Sequence, residues 1–170
     1  MSYAENGQRR TGQKTPEQAL VSLCAVCSKM ERCVSDAKRL LYRWGIAPAD
    51  QAAILEKLTA EGFVDERRYA GAYVRDKVSA GRWGMNKIIS GLRAKQIPEE
   101  IIKESVAAHA GATLTRKLGE ELARKAEKER SKAKSAYDLR VKLFRFAASR
   151  GFMPDEINEI LNKILTDEVI

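Results

Sequence analysis

The sequence predicts an all-α protein of three tandem three-helix repeats forming an elongated, modular helical array, and three observations lead there. The composition leans to Ala, Leu, Glu, Lys and Arg with only 6% aromatic residues, a mixture that favours helices over strands. Apolar residues recur three and four apart through most of the chain, which is helical spacing. One kind of turn also returns about every 50 residues, a spacing typical of repeated modules. It reads Gly45-Ile46-Ala47-Pro48, then Gln96-Ile97-Pro98-Glu99, then Gly151-Phe152-Met153-Pro154. In each, a residue tolerant of the left-handed conformation closes a helix, an apolar residue packs back, and Pro opens the next helix.

Taken in order, residues 1–15 are polar and read as a flexible N-terminal tail. Thr15-Pro16 is a helix start, with Thr as N-cap and Pro at the first helical position. The three turns then place helices near 16–28, 32–44 and 48–61 in a first repeat spanning 16–63. A second repeat at 64–111 has them near 65–79, 84–95 and 98–109. A third at 112–170 has them near 113–130, 134–150 and 154–166. The middle helices carry clear apolar stripes: Val34, Ala37, Leu40 and Leu41, then Met85, Ile88, Ile89 and Leu92, then Leu139, Leu143, Phe146 and Ala147. In the last helices, Ile54, Leu55 and Leu58 match Ile160, Leu161 and Ile164 at equal distances from their prolines. The helix after Pro98 fits less well, and its turn reads as one residue short.

With 170 residues, 44% of them hydrophobic, the chain can bury a good-sized core. Lys and Arg outnumber Asp and Glu by 31 to 23, a net +8 that suits a polyanionic partner, nucleic acid before a membrane surface. The excess is not spread evenly. Residues 29–44 carry Lys29, Arg32, Lys38, Arg39 and Arg43 against Glu31 and Asp36. Residues 82–97 carry Arg82, Lys87, Arg93 and Lys95 with no acid at all. Residues 132–151 set six cations, Lys142 and Arg145 among them, against Asp138 alone. The helices that follow are acidic in every repeat. Stacked repeats would therefore gather one positive and one negative surface. The helix at 113–130 interleaves Glu with Lys and Arg, the pattern of a solvent-exposed helix with i,i+4 pairs.

Little in the sequence points to catalysis or a resident metal. Three cysteines, an odd number, do not suggest a secreted disulfide framework, and no apolar run is long enough to span a bilayer. Residues 1–10 lack the apolar segment of a signal peptide, so a cytoplasmic setting is expected. Cys24-x-x-Cys27 with Cys33 lacks a fourth ligand nearby and reads as small core residues rather than a zinc or redox site. His109, near a helix end, has no nucleophile beside it and reads as a C-terminal helix cation. Asp65 reads as a helix cap with Glu66 at the positive end of the same helix. Phosphate loops, GxGxxG and HExxH are absent from the sequence. Tyr42-Arg43-Trp44 and Arg82-Trp83-Gly84 mix basic and aromatic residues; Trp44 reads as core, whereas Trp83 lies off its stripe and reads as exposed.

Two stretches resemble the regulatory protein RecX family. Arg32-Cys33-Val34-Ser35-Asp36-Ala37-Lys38-Arg39-Leu40-Leu41-Tyr42-Arg43-Trp44-Gly45-Ile46 is similar to that family's opening segment. Leu58 through Gly62-Phe63-Val64-Asp65-Glu66-Arg67-Arg68-Tyr69-Ala70 resembles its leucine, Gly, apolar, Asp, Arg, aromatic, Ala signature, continuing to Gly81 and Ile97. Gln96 departs from it, standing where Gly is usual, and the third repeat agrees only in periodicity. The resemblance implies a non-enzymatic regulator of DNA repair and homologous recombination, without cofactor or metal. It would lie in the groove of RecA recombinase filaments and dampen ATPase, strand-exchange and coprotease activities, including those of the SOS response. Single- and double-stranded DNA would be weaker, non-specific partners; the protein would be monomeric and independent of membranes. The expected contacts are Arg32, Lys38, Arg39, Arg43, Arg82, Trp83, Lys87, Arg93, Lys95, Lys142 and Arg145. A rival reading is a helix-turn-helix-like DNA-binding protein acting in transcription, suggested by the short turn at Gln96–Pro98. An enzyme or nuclease fragment would need clustered acids or metal ligands that the sequence does not offer.

Overall fold

A computed structural model describes residues 12–109 and 112–166. Among the described residues there are nine α-helices: α1 (Pro16–Cys27), α2 (Val34–Arg43), α3 (Pro48–Ala60), α4 (Glu66–Ala80), α5 (Met85–Ala94), α6 (Glu99–His109), α7 (Ala112–Arg130), α8 (Ala136–Ser149) and α9 (Pro154–Thr166). Each lies within two residues of the span that turn chemistry and periodicity predict. Most of the expected tail, residues 1–11, lies outside the described residues. By contacts the chain divides into two compact units, 1–69 and 70–170, the division falling inside α4.

In unit 1, Thr15 begins α1 with a capping box. The Gln18 N–H donates to Thr15 Oγ1 at 3.2 Å, and the Thr15 N–H donates back to Gln18 Oε1 at 3.1 Å. Pro16 fills the first helical position, where its missing N–H costs nothing. Helix α3 packs on both α1 and α2, and the core is Ala19, Leu23, Ala37, Leu41, Ile54, Leu55 and Leu58, closed by Ile46 and Val64. Ala37 and Leu41 are the fully buried pair of the α2 stripe; Val34 and Leu40 border it.

The three recurring turns share one hydrogen-bond pattern. Gly45, Gln96 and Gly151 have φ of 73°, 61° and 84°. The apolar residue after each, Ile46, Ile97 or Phe152, is buried. Its N–H donates five residues back, to Leu41, Leu92 or Ala147. This is the Schellman arrangement, which satisfies carbonyls that a helix end leaves open. Gln96 is the only one of the three with a side chain in the left-handed region, a conformation that strains L-residues. Replacing it with Gly is expected to stabilise the fold by about 0.5–1 kcal/mol after the greater freedom of an unfolded Gly is subtracted. Thermal denaturation followed by circular dichroism checks the sign.

The middle turn is not short by a residue. The Ile102 N–H donates to Pro98 O just as the Gln51 N–H does to Ala47 O and the Ile157 N–H does to Met153 O. Pro98 therefore occupies the N-cap, and Glu99 the position that Pro48 and Pro154 hold. A ring that fixes φ near −65° suits an N-cap, where Ala47 has φ −63°. In this register Ser105 stands where Ile54 and Ile160 stand. It is buried, which explains why the apolar match looked poor there.

In unit 2, α5 packs on α6 through Ile88, Leu92 and Ile102, while α7, α8 and α9 pack on one another. Leu118, Leu122, Leu143, Ile157 and Leu161 form the dry centre of that three-helix group. The start of α5 meets the α8–α9 turn backbone to backbone. The Gly84 N–H donates to Arg150 O at 2.8 Å and the Asn86 N–H to Gly151 O at 3.2 Å. No side chain separates these main chains, and Asn86 Nδ2 donates to the Met153 sulfur at 2.8 Å.

Candidate polyanion-binding surfaces

Helix α2 builds the first basic surface. Its buried phase is set by Ala37 and Leu41, so Lys38, Arg39, Tyr42 and Arg43 turn together to solvent one turn apart. Arg39 donates to Asp36 Oδ1 at 2.7 Å, tying one cation to a carboxylate that is only 3% exposed. Lys38 and Arg43 have no ion-pair partner among the described residues. Tyr42 is 78% exposed between them. It was not among the expected contacts, yet its place one residue past Leu41 in the stripe already turns it outward.

Arg32 behaves differently. It is half-buried, and its Nε has no hydrogen-bond partner among the described residues. Nearby carboxylates form structural bonds instead: Glu31 accepts from Arg68 Nε at 2.7 Å, and Glu66 Oε1 accepts the Val34 N–H at 3.1 Å. Cys33, the α2 N-cap, makes no side-chain cap, so Glu66 caps α2 from 32 residues away. Burial pushes the Glu66 carboxyl above its ordinary range. Asp65 caps α4 as its position predicts, accepting the Arg68 N–H at 2.9 Å.

The second surface gathers Arg82, Trp83 and Lys87 at the start of α5. Trp83 is half-buried rather than open. Lys77 Nζ lies 4.4 Å and Lys87 Nζ 4.9 Å from its ring centroid. These cation–π contacts hold two ammonium groups in place and occupy the ring that a base would need for stacking. Farther along α5, Arg93 is committed to Glu99 through two bonds, at 2.5 and 3.1 Å. That pairing raises the arginine pKa and lowers that of the glutamate. Lys95 is half-buried and engaged with neighbours. On α8, Lys142 bonds Asp138 at 3.0 Å, while Arg145 is exposed without an ion-pair partner among the described residues.

Trp44 borders the unit 1 core as expected, with Lys14 Nζ 4.6 Å from its ring. Helix α7 differs from its expected solvent-exposed role: it keeps i,i+4 pairs such as Arg116–Glu120 at 2.5 Å, but buries Leu114, Leu118, Leu122 and Ala126. Burial holds the Cys33 thiol up at about 11 and raises that of Cys27, so both are protonated at neutral pH. Among the described residues no group of three or more His, Cys, Asp or Glu is drawn together as a metal site would require. No helix among them is long and apolar enough to cross a membrane.

Residues 65–106 match the family model described as RecX, second three-helix domain. The regulatory protein RecX of Chromohalobacter salexigens is 28% identical over 151 residues, covering 89% of this chain and 93% of its own. That of Thermus thermophilus is 41% identical over 73 residues, covering 43% and 48%. The crystal structure of RecX from Lactobacillus salivarius superposes with a TM-score of 0.75 at 20% identity, covering 88% of this chain and 96% of that one.

Proposed function

We propose that the chain, similar to RecX regulatory proteins over most of its length, acts as they do: it binds RecA recombinase filaments on DNA and dampens their ATPase, strand-exchange and coprotease activities. The observation that carries this reading is the run of exposed, largely unpaired cations on α2 and at the start of α5. A filament on DNA offers phosphates and acidic protein surface at regular intervals. Several modest cationic contacts on one chain reinforce each other there, because each bound contact raises the local concentration of the next. Inhibition of this kind needs no reacting group. It needs tighter binding to one filament state than to another.

The cations recur on separate helices, which favours a filament over an operator read by one recognition helix. Co-sedimentation tests the partner. The chain is expected to pellet with RecA assembled on single-stranded DNA at protein concentrations where DNA alone retains little of it. Equal recovery with bare DNA would leave a general DNA-binding protein instead.

A further inference from the structure

A cleft of about 620 Å³ opens in unit 2 between the Gly81–Arg82 turn, one face of α7 and the end of α8. Its α7 wall presents Lys117, Arg124, Lys125 and Lys128, and Arg82 and Arg150 line it from the other elements. Three carboxylates also border it, and each is already engaged. Glu121 is bonded by Arg150, Glu129 lies 3.8 Å from Lys125, and Glu120 takes Arg116 at 2.5 Å. Lys117 Nζ points onto the α4 carbonyl ends at Val78 and Ser79. Arg124 rests its Nε on the Glu120 carbonyl at 3.2 Å, leaving its terminal nitrogens uncommitted. Arg82 and Lys128 have no ion-pair partner among the described residues.

We propose that this cleft binds the phosphodiester backbone of one DNA strand, with Arg82, Arg124 and Lys128 contacting successive phosphates. This rests on the DNA part of the function proposed above. From Lys117 to Lys128 the helix rises roughly 16 Å, longer than a single phosphate group needs and suited to several in a row. Lys117, Arg124 and Lys128 stand seven and four residues apart on one face of the helix, roughly 10 Å and 6 Å along it. The ring in the cleft, Phe146, is covered by Arg150 at 4.0 Å and Lys125 at 4.6 Å, so the site offers charge rather than a stacking surface. A sequence-independent backbone contact follows.

Fluorescence anisotropy of a labelled single-stranded oligonucleotide, titrated with the full chain at several salt concentrations, tests this. The combined Arg82→Gln, Arg124→Gln and Lys128→Gln variant is expected to bind about tenfold more weakly. Its plot of log K against log salt should be shallower by about two, since each single-strand phosphate contact contributes about 0.7. All three side chains are exposed, and an unchanged melting curve confirms folding. A variant of Lys38 and Arg43 on α2 serves as comparison. If only that variant loses DNA, the cleft assignment is overturned while DNA binding stands; if the parent chain binds no DNA, both fall. Competition by tripolyphosphate or polyglutamate at DNA-equivalent charge concentration would overturn the strand in favour of a small phosphoanion or an acidic protein segment.

Discussion

Replacing Gly84 with Val is expected to unfold unit 70–170 at a temperature roughly 10 °C lower, a loss of about 2–3 kcal/mol. The backbone at Gly84 is ordinary, with φ −75°, so strain in φ is not the reason. The reason is space. A Cβ there would overlap the main chain of Gly151 and Phe152, and neither can rotate away as a side chain could. The fit is reciprocal, since a Cβ on Gly151 would lie 2.6 Å from the Lys87 nitrogen. Any larger residue must pry the start of α5 off the α8–α9 turn and break the Gly84 and Asn86 hydrogen bonds with it. Gly119→Ala in the same assay is expected to act in the opposite direction, by about 1 kcal/mol, because its Cβ would make ordinary contact at 3.8 Å inside a helix. An unchanged melting midpoint for Gly84→Val would show that the turn can slide without loss.

Reversing charge at Arg82 and Lys87 together is expected to remove most of the proposed inhibition of RecA, raising the concentration needed for half-inhibition by at least about tenfold. Each reversal removes an attraction and adds a repulsion toward an anionic filament, and steering by the whole surface weakens with it. Both side chains are exposed and neither forms an ion pair among the described residues, so the substitutions leave no buried charge stranded. Arg93 should stay as it is. A carboxylate there would face Glu99, now held at 2.5 Å, and would push apart the α5–α6 turn for reasons unrelated to binding. Retained inhibition by the folded double variant would move the contact surface away from α5.

Helices, caps and turns were legible because their causes are local. Thr15 with Pro16, Asp65 before α4 and the left-handed residue before a buried apolar one act within a few residues, and a linear reading captures them. The register at Pro98 was misread because proline serves both at the N-cap and at the first helical position. Only the partner of the Ile102 N–H tells the two apart. Glu66 capping α2, the contact beneath Gly84 and the pairing of Glu121 with Arg150 join residues 29 or more positions apart, and no periodicity encodes such pairs. The same holds for the cationic residues. Their number and helix could be read from the sequence, but whether each was free like Arg43, paired like Arg93 or lodged like Arg32 depended on neighbours brought by folding. The α7 cleft stayed hidden because its carboxylates balance its cations along the chain, whereas in space those carboxylates are spent on internal pairs.

The measurement that bears most directly on the proposed regulation by cationic contacts is ATP hydrolysis by RecA on single-stranded DNA as this chain is added. The rate is expected to fall at chain concentrations well below that of RecA, and to recover as salt is raised and the cationic contacts are screened. A rate that stays constant up to equimolar chain would contradict the account.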